Sequence, residues 1–271
     1  MTDWRVHKSS GRVAHDSMRG QISGVTFTQG TVQQVKVPVA DLMDRPDGAL
    51  DRQLICGDGF RVLEDTDGYA FGFAEPSGYV GYVRCDALGD LAEITHVVAT
   101  FGAHIYPTRS IKTAPVRGLP FGAGLTCGQE QDGFRQTEFG YVPVQQVQNA
   151  GQIEPDFAAT ALRFEGVPYL WGGDSHWGLD CSGLIHAALR LGGRDCPRDS
   201  DQQEAFFPAV NGDMQRGDLV FWKGHVGMLT DARTIVHANG HHMAVTVEPV
   251  ADVVDRIQKA EGKEVTSVRR P

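Results

Sequence analysis

Residues Gly166 to Gly183, GVPYLWGGDSHWGLDCSG, constrain this chain more than any other stretch. Five glycines and a proline keep a regular helix or strand from running through them. The run gives way to CSGLIHAALR, Cys181 to Arg190, where Leu184, Ile185, Ala188 and Leu189 fall on one helical face and Gly192-Gly193 ends the pattern. A turn-rich approach therefore delivers Cys181 to the first residues of an amphipathic helix. Unpaired backbone N–H groups and the positive end of the helix dipole favour a thiolate there. A thiol so held beside an imidazole is the usual route to a cysteine nucleophile at neutral pH. Its own N–H, or one nearby, can serve an oxyanion hole. Cys56, Cys85, Cys127 and Cys196 lack this setting and read as inert thiols.

Such a nucleophile needs a base. His225 starts an apolar run, His225-Val226-Gly227-Met228-Leu229, directly after Gly224. Twelve residues later His237 ends another, Thr234-Ile235-Val236-His237-Ala238. If the two runs pair as strands through Asp231-Ala232-Arg233, both imidazoles fall on one side of the sheet. His237 then holds the His225 ring and leaves its other nitrogen for the thiol. His176, His186, His241 and His242 invite a metal reading, but His241 and His242, adjacent on a strand, point to opposite faces and chelate poorly, so no metal or cofactor is expected.

The rest of the chain is organised in modules. Up to about Val32 it is polar and weakly patterned, a strap or tail with one short strand. Gln53 to Cys56, Gly59 to Leu63, Gly68 to Phe73 and Gly78 to Val83 read as strands, with hairpin turns at Asp65 to Gly68 and Glu75 to Gly78. Leu119 to Leu125, Gln131 to Phe134 and Phe139 to Pro143 repeat this order, so two copies of one small β-barrel are the simplest account, against an unrelated pair of β-meanders. After Asn149-Ala150-Gly151 the pattern changes. Pro155 to Glu165 and Cys181 to Arg190 read as helices; Asp218 to Trp222, Val226 to Thr230, Thr234 to Ala238 and Ala244 to Val247 read as an antiparallel meander. Asp195 to Glu204 reads as partly a solvated acidic face.

Composition excludes several classes. The 25 Lys+Arg against 34 Asp+Glu leave a charge of -9, which argues against nucleic acid as partner. No window reaches the roughly 18 apolar residues of a membrane span. Met1 to Gly20 has no apolar core or cleavage site, and five cysteines suit reduced thiols better than a disulfide framework, so the expected compartment is the cytoplasm.

The Asp180-Cys181-Ser182-Gly183 box, preceded by Tyr169-Leu170-Trp171-Gly172-Gly173, followed by Gly217-Asp218-Leu219-Val220-Phe221, His225-Val226-Gly227 and then His237, resembles the NlpC-type cysteine peptidases over roughly Pro155 to Pro249. The glycine-aromatic strands closing the two repeats resemble bacterial SH3-like domains. The fold this implies is multidomain: a strap (1–32), two small all-β SH3-like barrels (33–90 and 91–149) and an α+β papain-like cysteine peptidase domain (150–271). The combination is similar to the cytoplasmic γ-D-glutamyl-L-diamino acid endopeptidases. The resemblance implies Cys181, His225 and His237 as catalytic residues. Its implied substrate is a murein tripeptide or tetrapeptide with a free N-terminal L-Ala, cut to release L-Ala-γ-D-Glu in recycling. For substrate it implies Tyr169 with its hydroxyl near the nucleophile, Asp180, Ser182, Asp199 and Ser200, and from the first barrel Asp58 (where a Glu is expected) with Tyr82 or Tyr79. By their residue type alone Tyr169 also reads as an aromatic lid over the cleft, and Trp171 and Trp177 as its walls. A buried carboxylate facing the free amine would reject capped or intact wall strands. The alternatives are a wall amidase or hydrolase of the same fold acting on intact wall, and a peptide-binding SH3-like scaffold without turnover.

Overall fold

The structure, a computed structural model, describes residues 3–75 and 77–271. It divides after Ala150 into two compact units.

The N-terminal unit is almost entirely β. A seven-stranded antiparallel sheet runs in the order Leu50–Ile55, Val39–Met43, Val80–Arg84, Tyr69–Glu75, Gly59–Thr66, Thr31–Val35, Leu88–Gly89. One face buries Val35, Leu42, Leu54, Phe60, Tyr79 and Val83. From residue 91 three small sheets follow, built on His96–Val98, Gly102–Ile105 and Phe134–Thr137, around a second core of Val98, Ile105, Leu119, Leu125 and Val142. The internal repeat is visible in detail. Asp67-Gly68 and Asp132-Gly133 are both left-handed pairs (φ 55° and 80°; φ 55° and 77°), the type I′ geometry that matches strand twist in a two-residue hairpin. Each copy then ends in a strand, one turn of 3-10 helix (Cys85–Ala87, Val144–Gln146) and a short strand. This is an SH3-like all-β region, but among the described residues the strand pairing closes neither copy into a barrel. Of the turn expected at Glu75 to Gly78, Pro76 lies outside the described residues.

The N-terminal strap holds two short strands where the sequence suggested one: Val13–His15 pairs in parallel with Thr26–Thr28. Val13 packs with Leu63, Phe71, Phe73 and Val80 in a core of its own, and Ala14 and Met18 are buried. Lys8 Nζ stands 4.0 Å from the centre of the Phe73 ring, a cation–π contact. The sheet itself starts at Thr31.

The C-terminal unit is α+β. Its five-stranded antiparallel sheet runs Ala244–Pro249, Thr234–Asn239, His225–Leu229, Leu219–Trp222, Val265–Arg269. Helices α1 (Phe157–Leu162) and α2 (Cys181–Leu191) pack on the His225 and His237 strands. Helix α1 is shorter than its sequence pattern suggests. Asp156 caps it by accepting from the Ala159 N–H (2.9 Å), which leaves Pro155 outside. Three elements lie outside the patterns read from the sequence: α3 (Ser200–Phe206), α4 (Val250–Glu261) and the edge strand Val265–Arg269. Val253 of α4 is buried against Val220, Trp222, Leu229 and Ile235. No helix among the described residues is long and apolar enough to cross a membrane.

Strand alternation puts His225, Gly227 and Leu229 on the same face as Ile235 and His237. Gly227 is where they meet: a Cβ there would lie 2.6 Å from Ile235 Cδ1 and 3.0 Å from His237 Cβ. Gly227→Ala should therefore cost about 1–3 kcal/mol as an overpacked core position, read as a lowered denaturation midpoint. A variant as stable as the parent would show that the two strands are not held at this spacing.

Candidate active site

Cys181 is the first residue of α2, and Asp180 is its N-cap, accepting from the Gly183 N–H at 2.7 Å. Gly183 has no room for a side chain, because a Cβ would run into the Gly173 carbonyl and sit 2.9 Å from Arg198 Nη2. The backbone N–H groups of Val226 and Ser182 are directed at the Cys181 sulfur, so the thiol meets the start of the strand that His225 opens.

His225 Nε2 lies 2.8 Å from His237 Nδ1, and the rings cross at 67°. His237 is buried, and its Nε2 lies 2.9 Å from Glu248 Oε1. Glu248 also pairs with Arg256 of α4 through both carboxylate oxygens (2.7 and 2.8 Å) and with His242 at 3.2 Å. Sequence reasoning missed Glu248 and Arg256. Glu248 is on the strand after His237 and Arg256 on a helix not read from the sequence, and no local spacing joins them.

Burial pushes the Cys181 thiol up to about 12, assisted by the negative charge of Asp180. Burial, with repulsion from His237, Lys263 and Arg256, pulls the His225 imidazole down to about 3. In this environment burial favours the neutral form of both the thiol and the imidazole. Burial lowers His237 as well, against the opposing pull of Glu248.

The loop before Cys181 is fixed by an ion cluster. Arg198, 1% exposed, donates from Nε to Asp174 (2.9 Å), from Nη1 to Asp180 (2.9 Å) and Ser182 Oγ (2.9 Å), and from Nη2 to Asp180 (3.0 Å) and the Gly173 carbonyl (3.0 Å). Asp180 further accepts from the Gly172 N–H and from Ser182 Oγ. Asp180 and Ser182 are therefore engaged within the protein, and the Asp195 to Glu204 stretch read as a solvated face has this buried arginine at its centre.

The other expected substrate residues divide. Tyr169 is half-buried and tied by its N–H to the Met243 carbonyl. Burial and the charges of Cys181 and Asp180 raise its hydroxyl pKa, so it stays a proton donor. Trp171 (69% exposed) and Trp177 (51%) stand open beside it in sequence. Asp199 and Ser200 begin α3, partly exposed. In the N-terminal unit two of the expected positions have partners within the protein. Tyr79 is a core residue under the Arg52 guanidinium, and the Asp58 carboxylate accepts from the Ile55 N–H (2.8 Å), holding its own turn. Tyr82 is half-buried against Phe71 and lines a cavity of about 490 Å³ with Trp4, His7, Asp44 and Asp51.

Two outcomes test this description. Arg198→Met should destabilise the chain by about 3–5 kcal/mol, measured by denaturant unfolding, because it leaves Asp174 and Asp180 buried without their cation. The second concerns pH. Below about 6.5 the unfolded chain protonates histidines that the fold keeps neutral, so stability should fall as pH drops, for His225 down to about 3. Melting temperatures between pH 7 and 4 should decline, and less steeply in His225→Asn; equal slopes would contradict the buried neutral imidazole.

Comparison with known proteins follows the same division. Residues 166–259 match the NlpC/P60 family and residues 42–88 the bacterial dipeptidyl-peptidase SH3 domain. The chain is 32% identical over 138 residues to a γ-D-glutamyl-L-lysine dipeptidyl-peptidase of Bacillus subtilis, covering 48% of this chain and 44% of that one. It is 43% identical over 82 residues to dipeptidyl-peptidase 6 of Lysinibacillus sphaericus, 30% of each. The matched stretches thus span less than half the length of these relatives. A crystal structure of an NlpC/P60 family protein from Bacillus cereus shares the fold, with a TM-score of 0.73 over 89% of this chain and 99% of that one, at 19% identity.

Proposed function

We propose that this chain, which carries an NlpC/P60 domain behind a bacterial dipeptidyl-peptidase SH3 domain, is a cysteine hydrolase of peptidoglycan-derived peptides. The observation that carries the reading is Cys181 at the start of α2, with backbone N–H groups at its sulfur and a His225–His237 hydrogen bond of 2.8 Å on the adjoining strands. His225 Nδ1, the nitrogen not bonded to His237, takes the thiol proton. Cys181 attacks the carbonyl carbon of the scissile amide, and the oxygen carries the negative charge of the tetrahedral adduct. The C–N bond then breaks, His225 returns the proton to the leaving amine, and a thioester remains. Water, deprotonated by His225, attacks the thioester and restores the thiol.

The finer reading takes the scissile bond as the one between γ-D-Glu and the diamino acid. The peptide is already released from the wall, carries a free N-terminal L-Ala and is met in the cytoplasm during recycling. Relatives named as γ-D-glutamyl-L-lysine dipeptidyl-peptidases support it. Asp180 is held by Arg198, so the carboxylate best placed within this unit to meet the free amine is that of Asp199, partly exposed with Ser200 at the start of α3.

Mass spectrometry of L-Ala-γ-D-Glu-meso-diaminopimelate, its L-Lys analogue and their N-acetyl twins tests both levels. Release of L-Ala-γ-D-Glu from the free-amine peptides only, abolished in Cys181→Ala, is the expected result. Cleavage of the acetylated twins would remove the amine requirement and leave the hydrolase. Absence of cleavage in all four would remove the hydrolase reading for this substrate class.

A further inference from the structure

We propose that Glu248, clamped by Arg256, is a positioning residue that sets the tautomers of both site histidines. Glu248 is an obligate acceptor. Burial opposes its charge, but hydrogen bonds from Arg256, His237 and His242 outweigh this and hold its carboxyl well below the usual carboxylate range. Five donors converge on its two oxygens: Arg256 Nη1 and Nη2, Thr246 Oγ1 at 3.1 Å, His242 Nε2 and His237 Nε2.

An acceptor at 2.9 Å requires the proton of His237 to sit on Nε2. Neutral His237 then offers a lone pair at Nδ1, so the 2.8 Å contact requires His225 to donate from Nε2. His225 Nδ1 is left bare, and this is the nitrogen the proposed chemistry uses as base.

The opposite arrangement has a partner waiting. Asn239 Nδ2 lies 3.3 Å from His237 Nε2. Its amide is oriented by the His242 N–H donating to Oδ1 (2.9 Å), so the atom facing His237 is a donor. If His237 carried its proton on Nδ1, Asn239 could donate to Nε2. The proton of His225 would then be driven to Nδ1, where it points the wrong way for a base. Glu248 excludes that state, because its negative oxygen would face a lone pair; Asn239 donates instead to Thr246 Oγ1 at 2.8 Å. Lys263, whose charge also acts on His225, hydrogen-bonds Glu261 and not Glu248.

The inference rests on the cysteine-hydrolase reading, yet its first readout needs no substrate. Two-bond 15N correlation spectra of the full-length chain, labelled at histidine and assigned with His225→Asn and His237→Asn, report which nitrogen of each ring bears the proton. The expected result in the parent is Nε2–H on both rings. In Glu248→Gln, which removes the charge and keeps the size, a population with Nδ1–H on both rings should appear. Arg256→Gln, which frees the carboxylate from its clamp, should shift the same signals in the same direction by less, and it serves if Glu248→Gln does not fold. On the L-Ala-γ-D-Glu-diamino acid peptide, kcat should fall on the order of tenfold or more in Glu248→Gln while KM stays within about threefold, since the base and not the binding surface is lost. Unchanged tautomers in both variants overturn the proposal, whatever happens to the rate. A parent chain with the expected tautomers but no turnover would instead sink the hydrolase reading for this substrate class and leave the tautomer chain standing.

Discussion

The buried guanidinium of Arg198 is the constraint on which the C-terminal unit depends. It sits between Asp174 and Asp180 and reaches the Gly173 carbonyl and Ser182 Oγ, so one side chain joins the glycine-rich run to the first turn of α2. Removing a charge of this kind from water is costly unless every donor is satisfied, and here the donors reach carboxylates, a hydroxyl and a carbonyl. Asp180 is thereby held as the N-cap of α2, which fixes the backbone at Cys181. A short helix with a glycine-rich entry would otherwise have an ill-defined start.

The sheet supplies the other half of the site by register. Because side chains alternate, His225 and His237 share a face, and the glycine at 227 lets the His237 strand approach. The next strand adds Glu248, and α4 adds Arg256. The result is an ordered polar series, cation to carboxylate to imidazole to imidazole, in which each hydrogen bond dictates the direction of the next. Such a series tolerates burial only because its members are paired, and the low pKa of His225 records how strongly that environment resists an isolated charge.

Much of this was legible in the chain. The glycine-rich run ending at Cys181, the amphipathic helix that follows and the two short apolar runs that carry the histidines are local patterns, and the structure has a helix and two strands at those places. The Asp-Gly hairpins of the two repeats were legible for the same reason, since few residue pairs adopt two successive left-handed conformations. Contacts without a period were not. Helix α4 carries Val250, Val253, Val254 and Ile257 at helical spacing, a legible stripe that went unread and took Arg256 with it, whereas the strand Val265–Arg269 has too few apolar positions to mark it. The packing of the strap was not legible because Val13, Ala14 and Met18 are isolated apolar residues in a polar run, and only the core beside them explains their burial.

By itself the sequence determined the thiol, its two histidines and the order in which glycine, helix and strand present them, because those features are written in short-range spacing. Only the tertiary structure decided which acidic groups remain available. The family resemblance offers both Asp180 and Asp58 to hold a substrate amine, yet Asp180 is bound by an arginine eighteen residues away, while Asp58 accepts from the Ile55 N–H of its own turn. Glu248, which no motif marks, stands behind the histidines. The reason is physical: a carboxylate's role is set by the donors that the fold brings within about 3 Å of it, and those donors come from distant parts of the chain.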